Sequence, residues 1–347
     1  MEIAIFCDKG FEDACREELR LLTGVEGTTK HGYVAASVTD ADILKLYYRM
    51  QSALRIICDT DTPEAFQLPS WIDSTKTFRV ATSGFPDNRQ TAAALGSRID
   101  LTADLDNPDI LIFATPEVCG VDLAQLDLAK REYRIYTNPA MLRSTFAFSL
   151  LLHAGFQPSE NLLDPFCGSG TIPIEAALHA HGISPRRFRK HDLQIARSGF
   201  MASDEVQRRL TELDEKSSTK GLIQGYDHVF QRIQASCHNA KIAGVLDNVD
   251  FARMSVDWID TRNDRGSVDR IVTHPPLFSK KSNDKKVYQH LFRQADFVLS
   301  QNGTLTITTN EKDTVLRLAE GWHLIEHREC HMGQGKLDVI RLGRKVL

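Results

Sequence analysis

Apolar positions in the first sixty residues switch between two periods. The run "EIAIF" near the start is strand-like. In "FEDACREELRLL", Phe11, Cys15, Leu19 and Leu22 recur at helical spacing and so share one helix face. "GYVAASV" predicts a second strand and "DADILKLYYRMQ" a second helix, while residues 59–70, "DTDTPEAFQLPS", have the composition of a linker. A second small unit starts near Lys76. There "TFRVATS" predicts a strand, "NRQTAAALGSRID" a helix, "ADLDNPDILIFATPE" a turn into a strand, and "KREYRIYT" a basic-aromatic strand.

From about Asn138 onward, strand-like and helical stretches alternate: "NLLDPFC", "TIPIEAALHAH", "GLIQGYD", "HVFQRIQASCHNAKIAG", "VDFARMSVD", "DRIVTHPP", "KVYQHLFRQADFVLS", "GTLTITT". That alternation predicts a parallel, doubly wound sheet. The C-terminal "HLIEHRECHMGQGKLDVIRLG" predicts an antiparallel hairpin at its edge. Three segments follow: 1–60, 61–137 and 138–347.

Composition narrows the class without choosing a function. With 347 residues, 42% hydrophobic and 25% charged, the chain reads as a soluble globular protein of two or three domains. A net charge of -4 means that any nucleic-acid binding must rest on local basic patches, not bulk charge. The seven cysteines are scattered with no Cys-x-x-Cys pair, as expected of reduced thiols in the cytoplasm. The N-terminus lacks the basic and apolar regions of a signal peptide, and no apolar run reaches the roughly 18 residues of a membrane span.

Four stretches carry candidate chemistry, each at the C-terminal end of a strand of the third segment. "LLDPFCGSGTIPIEAAL" (162–178) runs from a strand ending at Asp164, through Gly168 and Gly170, into a helix opening near Thr171. Glycines there permit positive φ and close approach of a ligand to the backbone. No lysine of a phosphate loop is present, which disfavours a nucleoside triphosphate. Asp227 ends the next strand, where it suits either two ribose hydroxyls or a helix N-cap. Asp257 in "MSVDWID" could accept from an adenine amine, with Trp258 over a ring face, or be a solvated loop acid. "VTHPPLFSKK" (272–281) ends the following strand in a rigid Pro-Pro turn preceded by His274.

In combination these residues resemble the class I S-adenosylmethionine-dependent RNA methyltransferases that carry a THUMP domain and methylate guanine in tRNA or rRNA. "GFEDACREEL" resembles the start of their ferredoxin-like domain, "LYYRMQSALRII" its later Arg-rich helix, and "LDLAKREYRIYTNPAMLRSTFAFSLLLHAGF" the junction to the catalytic domain. The resemblance implies a ferredoxin-like domain over 1–60, a THUMP RNA-binding domain over 61–137, and a Rossmann-like α/β methyltransferase domain over 138–347. It implies that Asp164, Phe166, Cys167, Gly168, Ser169, Gly170 and His228 hold the cofactor, with Asp227 at the ribose hydroxyls, Asp257 at the adenine and Trp258 over a ring face. Ser144 and Thr145 resemble the segment closing over the methionine carboxylate. The family's Asn/Asp-Pro-Pro-Tyr/Phe motif falls on His274, Pro275, Pro276 and Leu277.

In that motif an exocyclic amine, a poor nucleophile, is held by two acceptors: the first side chain and the next carbonyl. Its lone pair is thereby aimed at the methyl group, so catalysis is positioning and electrostatics, with no metal. The sequence departs at two of four positions. A neutral His274 still offers one acceptor nitrogen and a protonated one offers none. Leu277 replaces the aromatic, leaving Phe278, one residue later, to stack on the base. Lys130, Arg131, Arg134, Arg186, Arg187, Lys280 and Lys281 are candidate RNA contacts, joined on the Pro-Pro side by Lys285 and Lys286. The expectation is a cytoplasmic, monomeric enzyme acting on tRNA or rRNA, with room for a small activating protein. A catalytically silent scaffold that binds cofactor and RNA is the second reading; a nicotinamide dehydrogenase leaves the Pro-Pro turn without a role.

Overall fold

The computed structural model describes residues 1–137, 141–214, 221–279, 284–333 and 335–345. The chain forms two compact units. One comprises Met1–Cys7, Cys15–Ala129 and Arg186–Glu215; the other comprises Asp8–Ala14, Lys130–Pro185 and Lys216–Leu347. The units thus cut the chain differently from the three segments read from the sequence.

The first unit is built on one eight-stranded sheet. Its strands are β1 (Glu2–Phe6), β2 (Thr28–Lys30), β3 (Tyr33–Ser37), β4 (Arg55–Asp61), β5 (Thr77–Thr82), β6 (Thr102–Ala103), β7 (Ile110–Ala114) and β8 (Cys119–Asp122). They lie in the order β2-β3-β1-β4-β8-β7-β5-β6, so segments 1–60 and 61–137 share one sheet through the antiparallel β4–β8 pair. Helices α1 (Glu12–Thr23), α2 (Asp40–Arg49) and α3 (Asn88–Gly96) are as the periodicity predicts. A capping box between Thr39 and Asp42 starts α2, and Met50, in extended conformation, ends it. "LYYRMQSALRII" is therefore not one helix. Its second half enters β4, where the β-branched Ile56 and Ile57 are buried in the sheet. The linker accordingly begins only after Asp61.

The second unit carries α4 (Ser144–His153) and α5 (Thr171–Ala180), before α6 (Ile195–Ser198) and α7 (Ser203–Glu212), which belong to the first unit. It continues with α8 (Phe230–Ala243), α9 (Asp284–Val298) and α10 (Lys312–Leu318). Its strands are β9 (Leu162–Asp164), β10 (Ile223–Asp227), β11 (Asp250–Arg253), β12 (Val268–Thr273), β13 (Leu299–Thr309), β14 (Trp322–Met332) and β15 (Gly335–Arg344). They form one sheet in the order β11-β10-β9-β12-β13-β15-β14. The first five run parallel, and β15 is antiparallel to both β13 and β14. This is the predicted doubly wound sheet with its C-terminal hairpin. The chain steps outward from β9 to β11 and then returns to β12 on the other side of β9. That reversal opens a crevice beyond the C-terminal ends of β9 and β12, where ligands bind in such sheets.

Residues 130–137 are not a strand. Arg131 and Tyr133 are drawn into the core of the second unit, while Ile135 and Tyr136 stay exposed. No helix among the described residues is long and apolar enough to cross a membrane.

Candidate functional site

The crevice begins with the turn from β9 into α5. Gly168 has φ +56° and Gly170 φ +88°, a left-handed backbone that side chains resist. A Cβ on Gly170 would also lie within 3.2 Å of Ser236, Ile174 and Phe251 atoms. The turn is pinned from α8: Ser236 Oγ donates to the Gly168 carbonyl at 2.8 Å, and Asn239 Nδ2 donates to the Ser169 carbonyl at 3.0 Å. Neither contact is visible in the local sequence.

Asp164 ends β9, almost fully buried. Its Oδ1 accepts from Thr273 Oγ1 at 2.6 Å and from the Phe166 N–H at 3.1 Å. Thr273 reaches it because β12 runs beside β9. Burial pushes the Asp164 carboxyl up to about 7, the two hydrogen bonds opposing and the Asp227 charge adding to the rise. Asp227 is also buried, and its carboxylate accepts from the Val229 N–H at 2.9 Å and the Gly168 N–H at 3.2 Å. Arg232 Nη1 lies 3.3 Å from Asp227 Oδ2. Asp227 thus ties β10 to the glycine turn from beneath, and its neighbour His228 forms part of the wall above.

Two adjoining cavities occupy the crevice. One, of about 220 Å³, is walled by the glycine turn from Asp164 to Ser169, by Thr171 and Arg232, and by His274 through Leu277. The other, of about 340 Å³, is walled by Asp257, Val256, Met254, Lys286 and His290. Phe166, His228 and Pro276 border both. The glycine turn and the Pro-Pro turn therefore open on one space. Three observations suit a zwitterionic, cationic ligand such as S-adenosylmethionine in the smaller cavity. Thr171 Oγ1 is buried with no hydrogen-bond partner among the described residues. Asp164 supplies a carboxyl to the same wall, and Gly168, with no side chain, lets a ligand approach the backbone closely. Thr171 was not among the sequence candidates, and nothing in the local sequence shows that its hydroxyl lacks a partner.

Several candidates lie elsewhere than expected. Ser144 Oγ pairs with the Tyr133 hydroxyl at 2.9 Å, and Thr145 Oγ1 donates to Asp8 at 2.6 Å; both residues are fully buried. Their hydroxyls are spent inside the protein, and the preceding Met141 and Leu142 reach the cavity wall instead. Trp258 is 63% exposed and borders a separate surface cavity with Arg265 and Phe297, so it covers no ring in the crevice. Asp257 does border the larger cavity, paired with His290. Burial raises the Cys167 thiol well above its ordinary value, which makes it wall, not nucleophile.

The Pro-Pro turn is fastened by long-range contacts. His274 Nδ1 pairs with Thr308 Oγ1 on β13. Burial lowers the His274 imidazole to about 4, so it is neutral at physiological pH. The Phe278 N–H donates to Asn310 Oδ1 at 3.0 Å, and Asn310 Nδ2 donates back to the Phe278 carbonyl at 3.1 Å. The Phe278 ring stacks on Tyr288 at 4.6 Å, and Tyr288 donates to the Pro276 carbonyl at 3.3 Å. Phe278 therefore faces the core, and Leu277 is the apolar side chain in the cavity wall.

Two candidate RNA contacts are corrected by burial. Arg131 is buried against Glu175, with Nε 2.9 Å from Oε1. Arg186 is buried and donates to the Met50 and Leu128 carbonyls at 2.7 and 3.0 Å. Both side chains are almost fully buried, so neither presents its guanidinium to a phosphate. Lys130, Lys285 and Lys286 are exposed, Arg134 is half-buried, and half-buried Arg187 lies over the exposed Phe188 ring. Lys280 and Lys281 lie outside the described residues.

The profile of the family described as RMKL-like, methyltransferase domain matches residues 131–341. A tRNA (guanine(6)-N2)-methyltransferase of Methanocaldococcus jannaschii is 31% identical over 224 residues, 61% of this chain and 57% of that protein. Ribosomal RNA large subunit methyltransferase K/L of Shewanella amazonensis is 28% identical over 327 residues, 82% of this chain and 45% of that protein. The chain spans about half the length of the curated relatives it matches. Among solved structures, SMU.472 complexed with SAH superposes with a TM-score of 0.81 at 20% identity, covering 100% of this chain and 98% of that one. TrmN from Thermus thermophilus superposes with a TM-score of 0.70 at 20% identity, covering 99% of both chains. These two likenesses are of fold. With the profile matched over more than half its length, and its glycine turn and Pro-Pro turn opening on one crevice, the chain belongs to the RMKL-like methyltransferase domain family.

Proposed function

We propose that the protein transfers a methyl group from S-adenosylmethionine to the exocyclic N2 amine of a guanosine in tRNA or rRNA. One observation carries this reading: His274 and Pro275 border the same cavity as the glycine turn. The guanine-N2 activity of relatives that this chain matches supports the choice of atom.

Asp164, the Gly168–Ser169 backbone and Thr171 would hold the methionine end of the cofactor, and the Asp257 side of the crevice its adenine. The bound cofactor supplies an electrophilic methyl group. What the chain must supply is a held amine. A neutral His274 ring nitrogen and the Pro275 carbonyl are two acceptors on adjacent residues, and among the described residues no hydrogen bond engages that carbonyl. Bound to both, the amine points its lone pair away from them and toward the cofactor. The methyl is transferred with its bond to sulfur breaking as the bond to nitrogen forms; the surplus proton leaves with solvent, since a buried imidazole of low pKa is a weak base. Leu277 offers an apolar face to the base in place of an aromatic ring.

On this reading residues 61–137, as a THUMP domain, and the exposed Lys130, Lys285 and Lys286 meet the RNA, and the protein acts as a cytoplasmic monomer. The test is labelled methyl transfer to RNA from a strain lacking the gene, followed by nucleoside mass spectrometry. N2-methylguanosine is the expected product. Cofactor binding with no RNA methylated, with or without added cell extract, would leave a cofactor- and RNA-binding scaffold as the better reading.

A further inference from the structure

His274 raises a question that an asparagine or aspartate does not. A side-chain carbonyl accepts whichever way it is approached, whereas a neutral imidazole carries one N–H and one bare nitrogen. Only the tautomer bearing its proton on Nδ1 leaves Nε2 as an acceptor. Nδ1 is already engaged by the hydroxyl of Thr308, and among the described residues no hydrogen bond engages Nε2 of this cavity-wall residue.

We propose that Thr308 is the positioning residue that makes His274 usable: its hydroxyl oxygen accepts the Nδ1 proton and leaves Nε2 bare toward the cavity. The inference rests on the proposed amine chemistry, because only an amine substrate demands that tautomer. A hydroxyl can also donate to Nδ1, and the ring would then present Nε2–H. That alternative suits a ring nitrogen or a carbonyl oxygen of a base and repels an amine. Thr308 is fully buried on β13, so its rotamer is set by packing, not by solvent. The parallel register sets Thr273 opposite Ile307, which brings the next residues, His274 and Thr308, side by side. The fixing of an imidazole tautomer through its second nitrogen is a general device wherever the first must do chemistry.

The experiment uses the full chain labelled with ¹⁵N at histidine, with His274→Gln to assign the signals. Nitrogen chemical shifts of His274 are read without substrate, so they report the tautomer even in a protein that methylates nothing. A protonated Nδ1 and a bare Nε2 are expected. In Thr308→Val, which keeps the side-chain shape, the two tautomers should mix, and kcat should fall about 10- to 100-fold with KM for RNA and cofactor affinity nearly unchanged. Thr308→Ser should restore both the shifts and kcat. A protonated Nε2 in the unaltered protein overturns the proposal, as does a Thr308→Val kcat within about twofold of it. Absence of methyl transfer by the unaltered protein, with the expected tautomer seen, overturns the amine reading and spares the hydrogen-bond assignment.

Discussion

The glycine turn after β9 and the Pro-Pro turn after β12 face one crevice but are built in different ways. The glycine turn takes its shape from its own residues: two left-handed glycines, an acid before them and a helix behind. Contacts from α8 and Asp227 then hold backbone that is already committed. The Pro-Pro turn is stiff only at its prolines. Everything else about it is set by residues far along the chain: Thr308 on His274, Asn310 on both backbone groups of Phe278, and Tyr288 on the Pro276 carbonyl. The lesson is that one wall of a crevice can be written locally in sequence, whereas the facing wall is assembled across the sheet. On the proposed function, a departure at His274 is tolerable because burial keeps the imidazole neutral and Thr308 engages its Nδ1.

The sharpest break of this comparison is His274→Ala. It should leave cofactor affinity intact and lower single-turnover methyl transfer roughly 100- to 1000-fold, as loss of one positioned electrostatic partner does elsewhere. Equal loss of cofactor binding, read by calorimetry, would mean that the two turns are not separable. A weaker effect is expected at Asp164, whose carboxyl sits at about 7 because it is buried. A cationic ligand favours the ionised form, so binding should release a proton. Affinity should therefore weaken as pH falls below about 7, by up to about tenfold per unit, and level off above it. Asp164→Asn should flatten that profile; a slope that survives the substitution would assign it to another group. Smallest is Thr171→Val, which removes a wall hydroxyl that has no hydrogen-bond partner among the described residues. It should weaken cofactor binding about 3- to 10-fold with kcat unchanged, the size of one hydrogen bond.

The same contrast explains what could be read from the sequence. The parallel sheet of the second unit and its helices are written in local periodicity, and the Asp164–Gly170 turn in local composition. β4 was missed because its apolar run continues the apolar face of α2 across Ser52, and only the capping geometry and the pairing with β1 separate them. Arg131 looked like a phosphate contact because its partner, Glu175, is far along the chain on α5. Phe278 looked like a stacking ring because nothing nearby in sequence announces Tyr288. Asp257 was legible as a crevice acid, while Trp258 beside it turns outward. For Arg131 and Phe278, a side chain was assigned to a ligand before its partner elsewhere in the fold was known.

On the proposed function, a neutral imidazole does the work of an amide or carboxylate at position 274. The most direct measurement is the single-turnover rate of methyl transfer to RNA at saturating cofactor, from about pH 5.5 to 8.5, for the unaltered protein and His274→Ala. Burial holds His274 near 4, so protonation removes its acceptor nitrogen only well below that range. A flat profile is expected for the unaltered protein, with a rate lower throughout for His274→Ala. A rate that falls through the ordinary imidazole range near pH 6.5, or one that ignores the substitution, would contradict it.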